Sequence, residues 1–149
     1  MLLIFIVGIA GFISAGSQKT HAASYSWESK LIITGMKYLD RPYQFGASSN
    51  QTSTFDCSSF TQRVFKENRK YIPRKSQQQA TMGKYISRNN IRKGDLLFFS
   101  IPGKPGIINH VGIYAGDNKI IHTYGPGGVR FNSLSDGTLS SRYITARRL

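Results

Sequence analysis

At 149 residues the chain fits one domain with room for a hydrophobic core. Its 40% apolar content and five prolines belong to a globular protein, which excludes a wholly disordered chain. Twenty Lys and Arg against seven Asp and Glu give a formal net charge of +13, which calls for an anionic partner: nucleic acid, an acidic membrane surface or an anionic polymer outside the cell.

The first fifteen residues, MLLIFIVGIAGFISA, are apolar apart from Ser14, and the polar stretch Gly16 to His21 precedes Ala22-Ala23. That run has the length of a signal-peptide core and falls short of the ~20 residues that span a bilayer. Cleavage near Ala22 or Ala23 is expected, leaving a domain over residues 24–149, although no Lys or Arg precedes the run. A buried N-terminal helix is the competing reading. Secretion sets nucleic acid aside and leaves an extracellular anionic polymer as the natural partner. A secreted chain whose only cysteine is Cys57 forms no internal disulfide, so the thiol is an intermolecular bridge, a buried spectator or a reactive group.

Ser26 to Leu39 places Trp27, Leu31, Ile32, Met36 and Leu39 on one helical face, with Ser26 as cap, and Asp40-Arg41-Pro42 ends it. Tyr43-Gln44-Phe45-Gly46 leads into a polar loop that runs to Thr54. Phe60, Val64 and Phe65 then recur at helical spacing, so a second helix is expected at or just after Cys57, capped by Thr54 or Asp56. Ile72-Pro73-Arg74 breaks the chain, and Ser76 caps a short helix through Gln79 and Ala80 toward Gly83. From Gly94-Asp95 onward the period changes. Leu96 to Phe99 reads as a central strand, and residues 101–106 must be a loop. His110 to Tyr114 and Lys119 to Thr123 form a hairpin around Gly116-Asp117-Asn118, followed by short strands at Val129 to Phe131 and Tyr143 to Ala146. Helices first and strands after give an α+β fold with an antiparallel sheet.

The chemistry gathers at Cys57. A thiol in the first turn of a helix lies at the positive end of the dipole, which favours thiolate, the nucleophilic form. Its candidate bases are His110 and His122, both on the hairpin. A two-residue loop at Gly116-Asp117 turns the two imidazoles to opposite faces. A three-residue loop, Gly116 to Asn118, sets Gly112 opposite His122 and puts both on one face. One histidine then serves as base and the other orients it, the logic of a catalytic triad. Two ordinary hydrogen-bonded histidines, or a Cys-His-His zinc site, are the alternatives at this point.

The residues Pro42 to Gly46, Asp56-Cys57-Ser58-Ser59-Phe60, Pro73-Arg74 with Gln79, Gly94 to Phe99, His110 to Tyr114 and Ile121-His122 together resemble the NlpC/P60 family of cell-wall cysteine peptidases, from about Trp27 to the end. The resemblance implies a papain-like α+β fold, N-terminal helices packed on a small antiparallel sheet. It implies Cys57 as nucleophile, His110 as base and His122 as the residue that orients it. Tyr43, Asp56 and Ser58 become substrate contacts, with Arg74 nearby suiting an anionic substrate, and no metal or cofactor is called for. Ala47, Thr54 and Ser59 depart from the small residues common in the family and bear on substrate preference. The expected function is a secreted, monomeric endopeptidase cutting the γ-D-glutamyl–diamino acid bond of peptidoglycan stem peptides. Another wall amidase and a non-catalytic cationic wall-binding protein are the alternatives.

Overall fold

The computed structural model describes residues 24–149; residues 1–23, and with them the signal-peptide reading, lie outside the described residues. Helix α1 spans Trp27–Met36 and is capped by Ser26, whose hydroxyl accepts from the Ser29 N–H. It stops three residues short of Leu39: the chain turns instead, reaching a left-handed Asp40 at φ 65°. Helix α2 spans Cys57–Glu67, so Cys57 is its first residue. Asp56, and not Thr54, is its cap. Helix α3 is a single turn, Ser76–Gln79, that Lys75 precedes without a side-chain cap.

The strands are β1 (Lys84–Ile86), β2 (Leu96–Phe99), β3 (His110–Gly116), β4 (Lys119–Thr123), β5 (Val129–Ser133) and β6 (Tyr143–Arg148), with a 3-10 turn at Arg88–Asn90 and a short helix α4 at Gly137–Arg142. They form one sheet in the order β1-β6-β2-β3-β4-β5, and every pairing is antiparallel. Sequence reading missed β1 and α4. Both are short and carry no apolar periodicity; β1 exists because it pairs along β6.

Leu96 to Phe99 is apolar throughout because both faces of β2 are covered. Leu96 and Phe98 join Leu31, Phe60, Phe65, Val111, Ile113 and Ile121 in the core beneath α1 and α2. Leu97 and Phe99 join Ile120 and Ala146 on the opposite face, under Ile91, Leu139 and Tyr143. Burying a side chain of this size stabilises the fold by about 1.5–3 kcal/mol, so these two layers dominate the energetics.

The hairpin reaches its register by a route different from the expected one. Its turn is the two residues Asp117 and Asn118, both left-handed at φ 49° and 57°, as a type I′ turn requires. Gly116 pairs with Lys119, but Tyr114 pairs with Ile120, so Ala115 is an extra residue bulged out of β3. The bulge restores the pairing of Ile113 with Ile121 and sets Gly112 across from His122. No side chain fits at 112: a Cβ there would lie 2.4 Å from Ile120 Cδ1 and 2.9 Å from His122 Cβ. Gly112→Ala should therefore destabilise the protein by about 1–3 kcal/mol through overpacking, measured by urea denaturation. A change within error would mean that β4 shifts freely at this point.

Candidate active site

Asp56 organises the helix start. Its carboxylate accepts from the Ser59 N–H at 2.7 Å, and the Ser59 hydroxyl accepts from the Asp56 N–H at 3.0 Å, a reciprocal capping box. Arg74 grips the same carboxylate through both terminal nitrogens. Its Nη1 also reaches Ser58 Oγ at 2.8 Å, and its Nη2 donates to the Ala47 carbonyl at 2.6 Å. Both terminal nitrogens of the guanidinium are therefore engaged inside the protein, and Arg74 enters the site first as the partner of Asp56. Buried Gln79 adds a second clamp: its amide donates to the carbonyls of Ser58 and Pro73, and its oxygen accepts from Thr61.

Tyr43 arrives through a short parallel bridge to Phe55, with Gln44 N–H donating to Phe55 O at 2.9 Å and Phe55 N–H to Pro42 O at 3.1 Å. Its ring lies 6.2 Å from that of Tyr124. Tyr43, Asp56, Cys57, Ser58, Arg74 and Asn109 share the wall of one open hollow. Among the described residues, the backbone N–H of Cys57 has no hydrogen-bond acceptor.

The two histidines meet as the one-face register requires. His110 Nε2 and His122 Nδ1 are 2.7 Å apart, and His122 Nε2 lies 2.9 Å from Asn132 Oδ1. The His110 ring also packs edge-on against Tyr124 at 5.3 Å and tilted against Phe99 at 5.8 Å. Burial, more than any neighbouring charge, holds His110 well below the ordinary histidine range, and burial lowers His122 too. Both are uncharged at neutral pH.

Cys57 reaches the same strand end from the start of α2. Its Sγ lies 3.9 Å from the Asn109 carbonyl, one residue before His110, and no hydrogen bond joins it to the imidazole. Consecutive residues thus serve different hollows: Asn109 lines the one with the thiol, and His110, His122, Tyr124 and Asn132 line the other. Burial pushes the Cys57 thiol up to about 11, with the Asp56 charge adding to it, while the backbone N–H groups of Val111 and Ser58 pull the other way. The thiolate expected from the helix dipole is thus outweighed by desolvation. Among the described residues, no three His, Cys, Asp or Glu side chains come together as metal ligands.

Sequence reading overlooked Tyr124, Arg130 and Asn132. Tyr124 was recoverable, because it lies two residues from His122 on the same face; Asn132 falls just past the expected end of β5.

The family model for NlpC/P60 matches residues 40–148. The chain belongs to the NlpC/P60 family. Within it, the chain is 40% identical over 108 residues to an Escherichia coli murein DD-endopeptidase MepS/murein LD-carboxypeptidase, covering 72% of this chain and 55% of that one. It is 41% identical over 93 residues to a Bacillus subtilis gamma-D-glutamyl-L-lysine dipeptidyl-peptidase, covering 62% of this chain and 31% of that one. An NlpC/P60 family protein from Bacillus cereus superposes with a TM-score of 0.75 at 33% identity, over 81% of this chain and 39% of its own. The chain thus spans about half or less of the length of these relatives.

The neutral histidine pair makes stability pH-dependent. The unfolded histidines titrate near about pH 6.5, and the folded ones resist protonation below it. Below that pH the unfolded chain binds more protons, so stability falls as pH drops. His122→Gln should flatten the slope of unfolding free energy between about pH 6.5 and 5, read from denaturant titrations at several pH values. Identical slopes would contradict the burial of a neutral pair.

Proposed function

We propose that this domain is a peptidoglycan peptidase that works by acyl transfer through Cys57, with His110 as base and His122 orienting it. The observation that carries this reading is the convergence on one strand end of a helix-start thiol and a hydrogen-bonded pair of neutral imidazoles. Names of the relatives support it, since they are described as murein endopeptidase and glutamyl-lysine peptidase.

In the reaction, His110 takes the thiol proton as sulfur attacks the carbonyl carbon. The raised thiol and lowered imidazole keep the resting pair uncharged, so charge develops only as the new bond forms. The free N–H of Cys57, at the positive end of α2, receives the oxyanion. The C–N bond then breaks, His110 gives its proton to the departing amine, and a thioester remains. Water, losing a proton to His110, hydrolyses that thioester and restores the thiol. Tyr43, Ser58 and Asp56 form the wall that holds the acyl half. Oδ2 of Asp56 accepts only from Arg74 and retains capacity for a substrate amine.

The bond we assign is the γ-D-glutamyl linkage to a diamino acid, in keeping with the name of the Bacillus subtilis relative. A cross-bridge bond is the second reading, in keeping with the name of the Escherichia coli relative. Purified muropeptides should yield alanine–glutamate dipeptide products by mass spectrometry, and Cys57→Ala should abolish them while preserving the circular dichroism spectrum. Products cut within the cross-bridge would overturn the bond assignment, and full activity of Cys57→Ala would overturn the mechanism.

We infer further that the protein acts outside the cell, as a monomer held on anionic wall polymer by the net charge of residues 24–149, which is +12 without Lys19. Exposed charges are screened within about 8 Å at physiological ionic strength, so retention on intact walls should fall steeply between low and high salt. Undiminished retention at about 1 M salt, where screening is nearly complete, would mean that charge does not hold it there.

A further inference from the structure

The proton between His110 Nε2 and His122 Nδ1 belongs to one ring or the other, and the 2.7 Å separation alone does not say which. The next link decides. Asn132 stands 2.9 Å from His122 Nε2, and a side-chain amide can present either an oxygen or an NH2 group there. Arg130 Nε lies 3.1 Å from the same Asn132 atom. A guanidinium only donates, so that atom is the oxygen. Having only lone pairs to offer, the oxygen accepts from His122 as well, and His122 therefore carries its proton on Nε2.

Both rings are buried and neutral, so each has one proton. With His122 protonated on Nε2, its Nδ1 is a lone pair, and the proton between the rings must sit on His110 Nε2. His110 Nδ1 is then left with its lone pair, and among the described residues it has no hydrogen-bond partner. Arg130 is itself fixed: its Nη1 donates to the carbonyls of Tyr124 at 2.7 Å and Pro126 at 2.9 Å.

We propose that Arg130 and Asn132 are positioning residues that lock the tautomers of both histidines, keeping the Nδ1 lone pair of His110 free to act as base. The proposal rests on the reading of His110 as base to Cys57. It makes the relay four side chains long, His110, His122, Asn132 and Arg130, with every donor direction dictated by the one group that cannot accept.

Tautomers are read directly from long-range proton–nitrogen correlation spectra of the 15N-labelled protein. The native protein should show both histidines protonated on Nε2. In Arg130→Met the Asn132 amide is released to turn its NH2 group toward His122, so both rings should populate the Nδ1–H form. With the base misprotonated, kcat should fall by about 10–100-fold while KM changes less than about two-fold, within the range general-base catalysis supplies. Adding Asn132→Asp to that variant places a group with only acceptors beside His122, whichever way it rotates. The double variant should regain the Nε2–H forms and most of kcat. Rescue separates the lock from the anchoring of the 124–128 loop, which an aspartate does not restore. If Arg130→Met fails to fold, Asn132→Leu leaves those anchors in place, removes the acceptor that selects Nε2–H, and should leave both rings as a mixture of the two tautomers.

A native spectrum with Nδ1–H on either ring would overturn the proposal, as would unchanged tautomers in the variants or failure of the double variant to recover. The spectra need no turnover. An inactive native protein with both protons on Nε2 would support the lock and overturn the peptidase reading instead.

Discussion

One extra residue in β3 governs the site. A hairpin turning at Asp117-Asn118 without the Ala115 bulge would put His122 opposite Ile113 and send its ring to the other face of the sheet. With the bulge, His110 and His122 share a face and meet at hydrogen-bond distance. Everything that follows depends on that parity: the vacancy at Gly112 that admits the ring, the neutral pair, and the reach of Asn132 from β5. The left-handed pair Asp117 and Asn118 and the bulge act together, because the turn type fixes the strand twist and the bulge then corrects the pairing.

Charge around the site is arranged in opposing senses. Asp56 and Arg74 pair across two contacts at the foot of α2, beside the thiol, while Arg130 adds to the lowering of both imidazoles. The effects of Asp56 and Arg74 on Cys57 oppose one another, the carboxylate raising the thiol and the guanidinium lowering it. What remains is desolvation, and it acts on thiol and imidazole in opposite senses to the same end, favouring the uncharged form of each. Under the acyl-transfer reading proposed above, such a pair holds its reactivity for the moment a polarised carbonyl enters.

Much of this was legible beforehand, for identifiable reasons. Apolar spacing at Phe60, Val64 and Phe65 announced α2, and the unbroken run from Leu96 to Phe99 announced a strand covered on both faces. Of the residues that carried the family resemblance, Tyr43, Asp56 to Ser58, Arg74 and Gln79 come together at the start of α2. Three features were beyond sequence reasoning. The balance between helix dipole and burial at Cys57 depends on how deeply the thiol sits. The fate of Arg74 depends on a fold-back to Asp56 across 18 positions. The bulge at Ala115 leaves no compositional trace, and a three-residue loop gave the right faces by a different backbone.

The order of strands carries a consequence for the protein in a crowd. Among the described residues the sheet ends at β1 and β5, and the open rim of β5 begins only after Val129, whose N–H donates to the Arg41 carbonyl and whose carbonyl accepts from the Asp40 N–H. β1 is only three residues long and begins with Lys84, against Arg148 on β6. β5 carries Arg130, whose side chain folds back over its own loop. Short, basic rims repel their own kind and offer little length for strand addition. The basic residues on these rims thereby also keep neighbouring copies from stacking edge to edge.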